Sequence, residues 1–202
     1  MISADEALAR LQEGNQRYVD NDTRLAEVSN WQRRAELARG QEPFAIILGC
    51  SDSRVPAEIV FDQGLGDLFV IRVAGNVVAP SQIGSVEFAA SQFGTPLVVV
   101  LGHSNCGAIS ATLQQLKKPE SSQSPNLQSI IDRVRPAVEP LIAKASEGDD
   151  AALMGEAVRA NVAASVHNLA DGSDILRQLI EAGRLRVVGA EYSLETGQVT
   201  FL

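Results

Sequence analysis

Residues 43–55 read PFAIILGCSDSRV, and this stretch decides the fold. The apolar run PFAIILG (43–49) is too short for a helix and has no polar face, so it predicts a strand buried on both sides. DLFVIRVA (67–74) and PLVVVLG (96–102) repeat the pattern. Between and after them lie segments that read as helices: SQIGSVEFAASQFG (81–94), with Ser81 near its start and Gly94 past its end, and a helix opening in SNCGAISATLQQL. Strands alternating with helices predict an α/β chain: a mainly parallel central sheet flanked by α-helices. In such sheets ligands sit beyond the carboxyl ends of the strands. Cys50 follows one strand and His103 another, so two groups distant in sequence are expected at one sheet edge.

The flanking segments complete the outline. Ser3 and Glu6 form a capping box, which predicts a helix from Ala4. Asn30 caps a short helix WQRRAELAR that Gly40 ends. PESSQSP (119–125) reads as a loop, followed by helices over about 126–146 and 150–170 joined by SEGDD. Ser173 caps a further helix up to Gly183, and RLRVVGAEYS and QVTFL are expected to be strands. No internal repeat or linker divides the chain, so residues 1–202 are expected to form one domain, with 1–40 as an N-terminal helical arm.

Bulk properties narrow the function. The 202 residues are 45% hydrophobic and 21% charged, as in ordinary globular proteins, and carry a net charge of −8. With no basic block, neither nucleic acid nor an anionic membrane surface is an expected partner. No stretch reaches the roughly 18 apolar residues of a membrane span. MISADEALARLQEGNQRY lacks the regions of a signal peptide, so a cytoplasmic location is expected, with a processed periplasmic form left open. Two cysteines also suit a reducing compartment better than a disulfide scaffold.

At the sheet edge, Cys50, His103 and Cys106 are three candidate zinc ligands. His103 and Cys106 are spaced three apart across a strand-to-helix turn, and three protein donors would leave a fourth position open, as catalytic zinc requires. Other readings stand beside this one. A Cys50–Cys106 disulfide would leave His103, Asp52 and Arg54 without a role. A thiol nucleophile beside Arg54 would need a longer anion-cradling loop than Ser51–Asp52–Ser53 and would set Asp52 against a phosphate. His167, in the middle of a helix, reads as a surface residue.

CSDSRV followed by HSNCGA resembles the β-class carbonic anhydrases, and the similarity covers nearly the whole chain, including ALARLQEGNQRY, LFVIRVAGNVV and GSVEFAASQFGTPLVVVLGHSNCGA. The resemblance implies that fold, one Zn²⁺ per chain on Cys50, His103 and Cys106, and a catalytic Asp52–Arg54 dyad. It implies reversible hydration of carbon dioxide to bicarbonate through a zinc-bound hydroxide, with Asp52 as a fourth ligand in a closed state. It assigns substrate contacts to Gln41, Phe69, Ala74 and Phe88. It also implies a homodimer or homotetramer in which the N-terminal arm packs on a partner subunit. Members under bicarbonate control carry a Trp where this chain has Ile47, although Arg72 and Tyr192 are kept, so that control is in doubt here. Alternatives on the same fold are a carbonyl sulfide or carbon disulfide hydrolase and a non-catalytic zinc or redox sensor.

Overall fold

Aliphatic and β-branched segments supply five strands among the described residues, and their order in one sheet is β2-β1-β3-β4-β5. They are β1 (Ala45–Gly49), β2 (Leu68–Arg72), β3 (Leu97–His103), β4 (Arg186–Tyr192) and β5 (Val199–Phe201). The computed structural model describes residues 2–118, 124–143 and 149–202. β1 pairs in parallel with β2 and β3, β3 pairs in parallel with β4, and β5 joins β4 antiparallel. Every residue of β1 and β3 is buried, which is why their sequences lack a polar face.

The two-residue period of the strands sorts the core onto two faces. Ile47, Val99, Leu101 and Ala190 pack with Ala7 and Leu11 of α1 (Ala4–Val19) and Val60 of α4 (Ala57–Val60). α2 (Leu25–Val28) and α3 (Trp31–Leu37), between α1 and β1, lie at the surface, with Trp31 69% exposed. On the opposite face, Ile46, Leu48, Val98 and Val100 meet α5 (Pro80–Gln92), α8 (Asp150–Asp171) and α9 (Asp174–Glu181). A third cluster forms beyond the strand ends, where Cys50, Cys106 and Ile109 pack with Val134 and Ala157. It draws on α6 (Gly107–Lys117), α7 (Pro125–Ile142) and α8.

The strand order fixes where the chemistry sits. From β1 the chain passes to β2 on one side, whereas from β3 it passes to β4 on the other. The crevice between the carboxyl ends of β1 and β3 is therefore the topological switch point, the usual ligand site of open α/β sheets.

Most expected elements are present with trimmed ends. Ser3 and Glu6 close the capping box, with the Ser3 N–H donating to Glu6 at 2.6 Å and the Glu6 N–H to Ser3 Oγ at 3.1 Å. Asn30 and Ser173 cap as expected. α5 begins at Pro80 rather than Ser81, because proline's fixed φ suits the first helical position. β2 stops at Arg72, since Gly75 and Asn76 take left-handed conformations in a 3-10 turn, Ala74–Asn76. The expected loop over 119–125 falls outside the described residues up to 123, as do 144–148 of the expected connection between α7 and α8. Among the described residues no helix is long and apolar enough to cross a membrane.

Candidate metal centre

β1 ends at Gly49 and delivers Cys50, and β3 ends on His103 at the same edge. Asn105, one of the residue types that tolerates a left-handed backbone, takes φ 55° and turns the chain so that Cys106 caps α6. The turn is anchored by the Ser104 N–H donating to Tyr192 O at 2.9 Å and by Ser104 Oγ accepting from the Leu194 N–H at 2.9 Å. The sulfurs of Cys50 and Cys106 lie 3.9 Å apart, and the donor atoms of Cys50, His103 and Cys106 all fall within 4.8 Å of one another. All three residues are buried, His103 completely.

This donor set fits a tetrahedral zinc ion. Zn–S bonds of about 2.3 Å at a tetrahedral angle put two sulfurs roughly 3.8 Å apart, close to the separation here. A disulfide would need about 2.05 Å, and both cysteines are free. His103 Nδ1 lies 2.9 Å from Ser104 O, which suits an Nδ1–H donor and leaves Nε2 with a lone pair. Nε2 is buried and has no hydrogen-bond partner among the described residues. A buried acceptor left unpaired is costly, and a cation would relieve it.

The electrostatics agree. The Cys50 thiol is pulled down to about 4, chiefly by the hydrogen bond from Cys106, with help from the backbone N–H groups of Asp52 and Gly75 and against the effect of burial. Cys106 is pushed up by that same contact, by burial and by the Cys50 charge. The two shifts describe one proton shared by two sulfurs, which a divalent cation would displace. Arg54 grips the Asp52 carboxylate with both ends of its fork, Nε to Oδ1 at 2.9 Å and Nη2 to Oδ2 at 2.7 Å, and its backbone N–H adds a third bond at 3.0 Å. These bonds hold Asp52 well below the ordinary carboxylate range. Asp52 Oδ2 stands 3.9 Å from His103 Nε2, beside the ligand cluster and turned to Arg54.

Arg72, at the end of β2, clamps the loop that carries the first ligand. Its Nε donates to Cys50 O at 2.9 Å and its Nη2 to Asp52 O at 2.6 Å. Tyr192 pairs with Tyr18 across 3.2 Å, and burial, with that contact second, raises its pKa. Ile47 is fully buried in the core.

The remaining candidates are scattered. Ala74 opens the turn whose Gly75 N–H donates to Cys50 Sγ at 3.4 Å, so it borders the cluster. Phe69 lies three residues, about 10 Å, back along β2 from Arg72, with its ring tilted against those of Phe88 and Phe93. Phe88 is 52% exposed. Gln41 precedes β1 and lines a surface hollow with Arg39 and Phe93, toward the opposite end of the sheet. His167 is exposed and faces Asp171 at 2.9 Å. The sequence reading missed the Gly75 contact, the double role of Arg72, and Asn161 and Ser165 on α8, whose side chains bind Gly75 O and Asn76 O. Their signal is faint: polar residues one helical turn apart within a buried stripe of Val158, Val162 and Leu169.

A family model described as carbonic anhydrase matches residues 45–199. Carbonic anhydrase 2 of Mycobacterium tuberculosis is 39% identical over 188 residues, covering 93% of this chain and 87% of that protein. Among solved structures, a Coccomyxa β-carbonic anhydrase in complex with acetazolamide is similar at TM-score 0.75 and 27% identity, over 96% of this chain and 86% of that one. A tetrameric β-carbonic anhydrase of Sordaria macrospora aligns at TM-score 0.73 and 26% identity, over 86% and 87%.

Proposed function

This chain belongs to the β-class carbonic anhydrases, and on that premise we propose that it interconverts carbon dioxide and bicarbonate with one zinc ion per chain held by Cys50, His103 and Cys106. The strongest support is His103 Nε2, a buried lone pair with no hydrogen-bond partner among the described residues, beside two sulfurs at zinc-like separation. Zinc, when bound, supplies a Lewis acid that makes water nucleophilic near neutral pH. Two thiolate donors set two negative charges against the cation, so hydration should climb toward alkaline pH.

Asp52 is the orienting group. Held ionised by Arg54, it only accepts hydrogen bonds, so it selects a protonated oxygen as nucleophile and turns that oxygen's lone pair toward the carbon of the substrate. The same depression makes it a poor proton store, and the released proton must leave by another route. Its engagement with Arg54 supports an open fourth position, with closure requiring Asp52 to leave the guanidinium. Arg72 fixes the backbone from Cys50 to Asp52, so ligand and orienting carboxylate move as one piece.

The positions of Gln41, Phe69 and Phe88, away from the chain's own cluster, support a site completed by a second copy, in a homodimer or homotetramer. The exposure of Trp31 and Phe88 suits the same assembly. Residues 1–202 act as one unit in this reading, and two free thiols 3.9 Å apart favour a reducing, cytoplasmic setting.

Zinc analysis combined with stopped-flow hydration between about pH 6.5 and 9 tests the proposal. About one zinc per chain and a rate that rises with pH would support it. Zinc without hydration, but with hydrogen sulfide released from carbonyl sulfide, would replace the substrate. Zinc with neither activity would favour a sensor.

A further inference from the structure

One buried hydrogen-bond chain has no part in the chemistry above. It starts in the middle of α8 and ends on the sulfur of Cys50. Asn161, 2% exposed, donates from Nδ2 to Gly75 O at 2.8 Å. One helical turn later Ser165, 3% exposed, donates from Oγ to Asn76 O at 3.0 Å. The Gly75 N–H in turn donates to Cys50 Sγ at 3.4 Å.

The turn between them would not hold this shape by itself. Gly75 and Asn76 have φ of 68° and 43°, two successive left-handed residues, and such backbone persists only where its surroundings over-determine it. On the far side the turn is hemmed by α6, since a Cβ on Gly75 would come within 3.0 Å of Ala108 Cβ. On the near side the two α8 side chains hold both carbonyls. Packing alone does not call for them: the neighbouring buried α8 positions are Val158, Val162 and Leu169, and a carboxamide among them is costly unless it is bonded.

We propose that Asn161 and Ser165 are positioning residues that fix the Gly75 N–H on the Cys50 thiolate and so set how much charge that ligand gives the metal. The inference rests on the metal site proposed above. A thiolate that accepts an N–H bond donates less to its cation, and such outer contacts tune metal sites strongly. Their effect matters most where two thiolates already offset the cation's charge. Nothing in the local sequence around Cys50 reveals the device, because its parts come from β1, the turn after β2, and α8.

The test replaces zinc by Co²⁺ and follows the thiolate-to-cobalt charge-transfer band in the near ultraviolet, alongside zinc affinity by chelator competition. Asn161→Ala should move the band to lower energy, because the sulfur lone pair is no longer stabilised. It should also weaken zinc binding about 10- to 100-fold, because a turn released from α8 no longer holds the Cys50 thiolate in place and this loss outweighs the stronger donation of the freed sulfur. Ser165→Ala should move it in the same direction by less. Leu169→Ala, a packing control on the same helix, should lower Tm and leave band and affinity in place. The proposal is overturned if Asn161→Ala lowers Tm as the control does while band and affinity stay put. If Asn161→Ala does not fold, an unmoved band in Ser165→Ala overturns it. A wild-type cobalt protein with no thiolate band would instead remove the metal reading itself.

Discussion

Arg72→Met isolates the clamp on the ligand loop. The methionine keeps most of the apolar stem, so the change removes mainly two hydrogen bonds from a charged donor: 2.9 Å to Cys50 O, which is partly buried, and 2.6 Å to Asp52 O, which is exposed. Bonds to charged groups contribute about 1.5–3 kcal/mol when sheltered, and exposed ones at most about 1 kcal/mol. The first bond should fall in the upper range and the second in the lower, so the loss is about 1.5–4 kcal/mol. For a chain of this size that corresponds to a Tm lower by roughly 3–16 °C. Arg72→Lys has a single ammonium and no fork, so it can satisfy one carbonyl and should land between. Urea unfolding of the metal-free protein reads both values, and hydration at matched zinc content should fall with them as the loop loosens. A Met variant within about 0.5 kcal/mol of wild type, or a Lys variant equal to it, would refute the clamp.

Three further outcomes follow from the same structure. Asp52→Ala should cut hydration about 10²- to 10⁴-fold while leaving zinc content unchanged; a parallel loss of zinc would mean that Asp52 ligates rather than orients. Asp52 has a folded pKa below its unfolded one, so its pairing stabilises the protein above about pH 4 and that contribution is lost as pH falls through the folded value. Urea midpoints of the metal-free protein should therefore drop below pH 4, and Asp52→Asn should flatten that part of the curve. Gly14→Ala would set a Cβ 1.8 Å from the backbone oxygen of Phe61, forcing α1 off the core; a loss of at least about 3 kcal/mol is expected, read by denaturant unfolding.

What the sequence disclosed depended on how local the cause was. β1 and β3 are legible because a strand buried on both faces must be apolar throughout, and Cys50 and His103 become neighbours once those strands are read as parallel. Cys106 follows from its spacing to His103. The four-residue α4, in PAEIV, is too short to show a helical period, so it was invisible. The sequence pattern extends β2 two residues too far at its carboxyl end because Val73 and Ala74 continue its apolar run, whereas the turn that ends it is held by contacts to α8, 86 and 89 residues away in sequence. The same distance hid Asn161 and Ser165. Asp52 and Arg54 were legible as a pair from their spacing and the family resemblance, but the bidentate geometry and the turn of the carboxylate away from the cluster needed coordinates. Phe69 and Phe88 show the converse: the resemblance named them, and their place in an aromatic group with Phe93 emerged only from the packing.

The most direct measurement is anomalous diffraction at the zinc edge from crystals of the purified protein grown above about pH 8, far over a free carboxyl's pKa. One strong peak per chain is expected, about 2.3 Å from both sulfurs and about 2.0–2.1 Å from His103 Nε2, with Asp52 still on Arg54. A zinc peak elsewhere, or Cys50 and Cys106 bonded to each other, would contradict the proposed metal site.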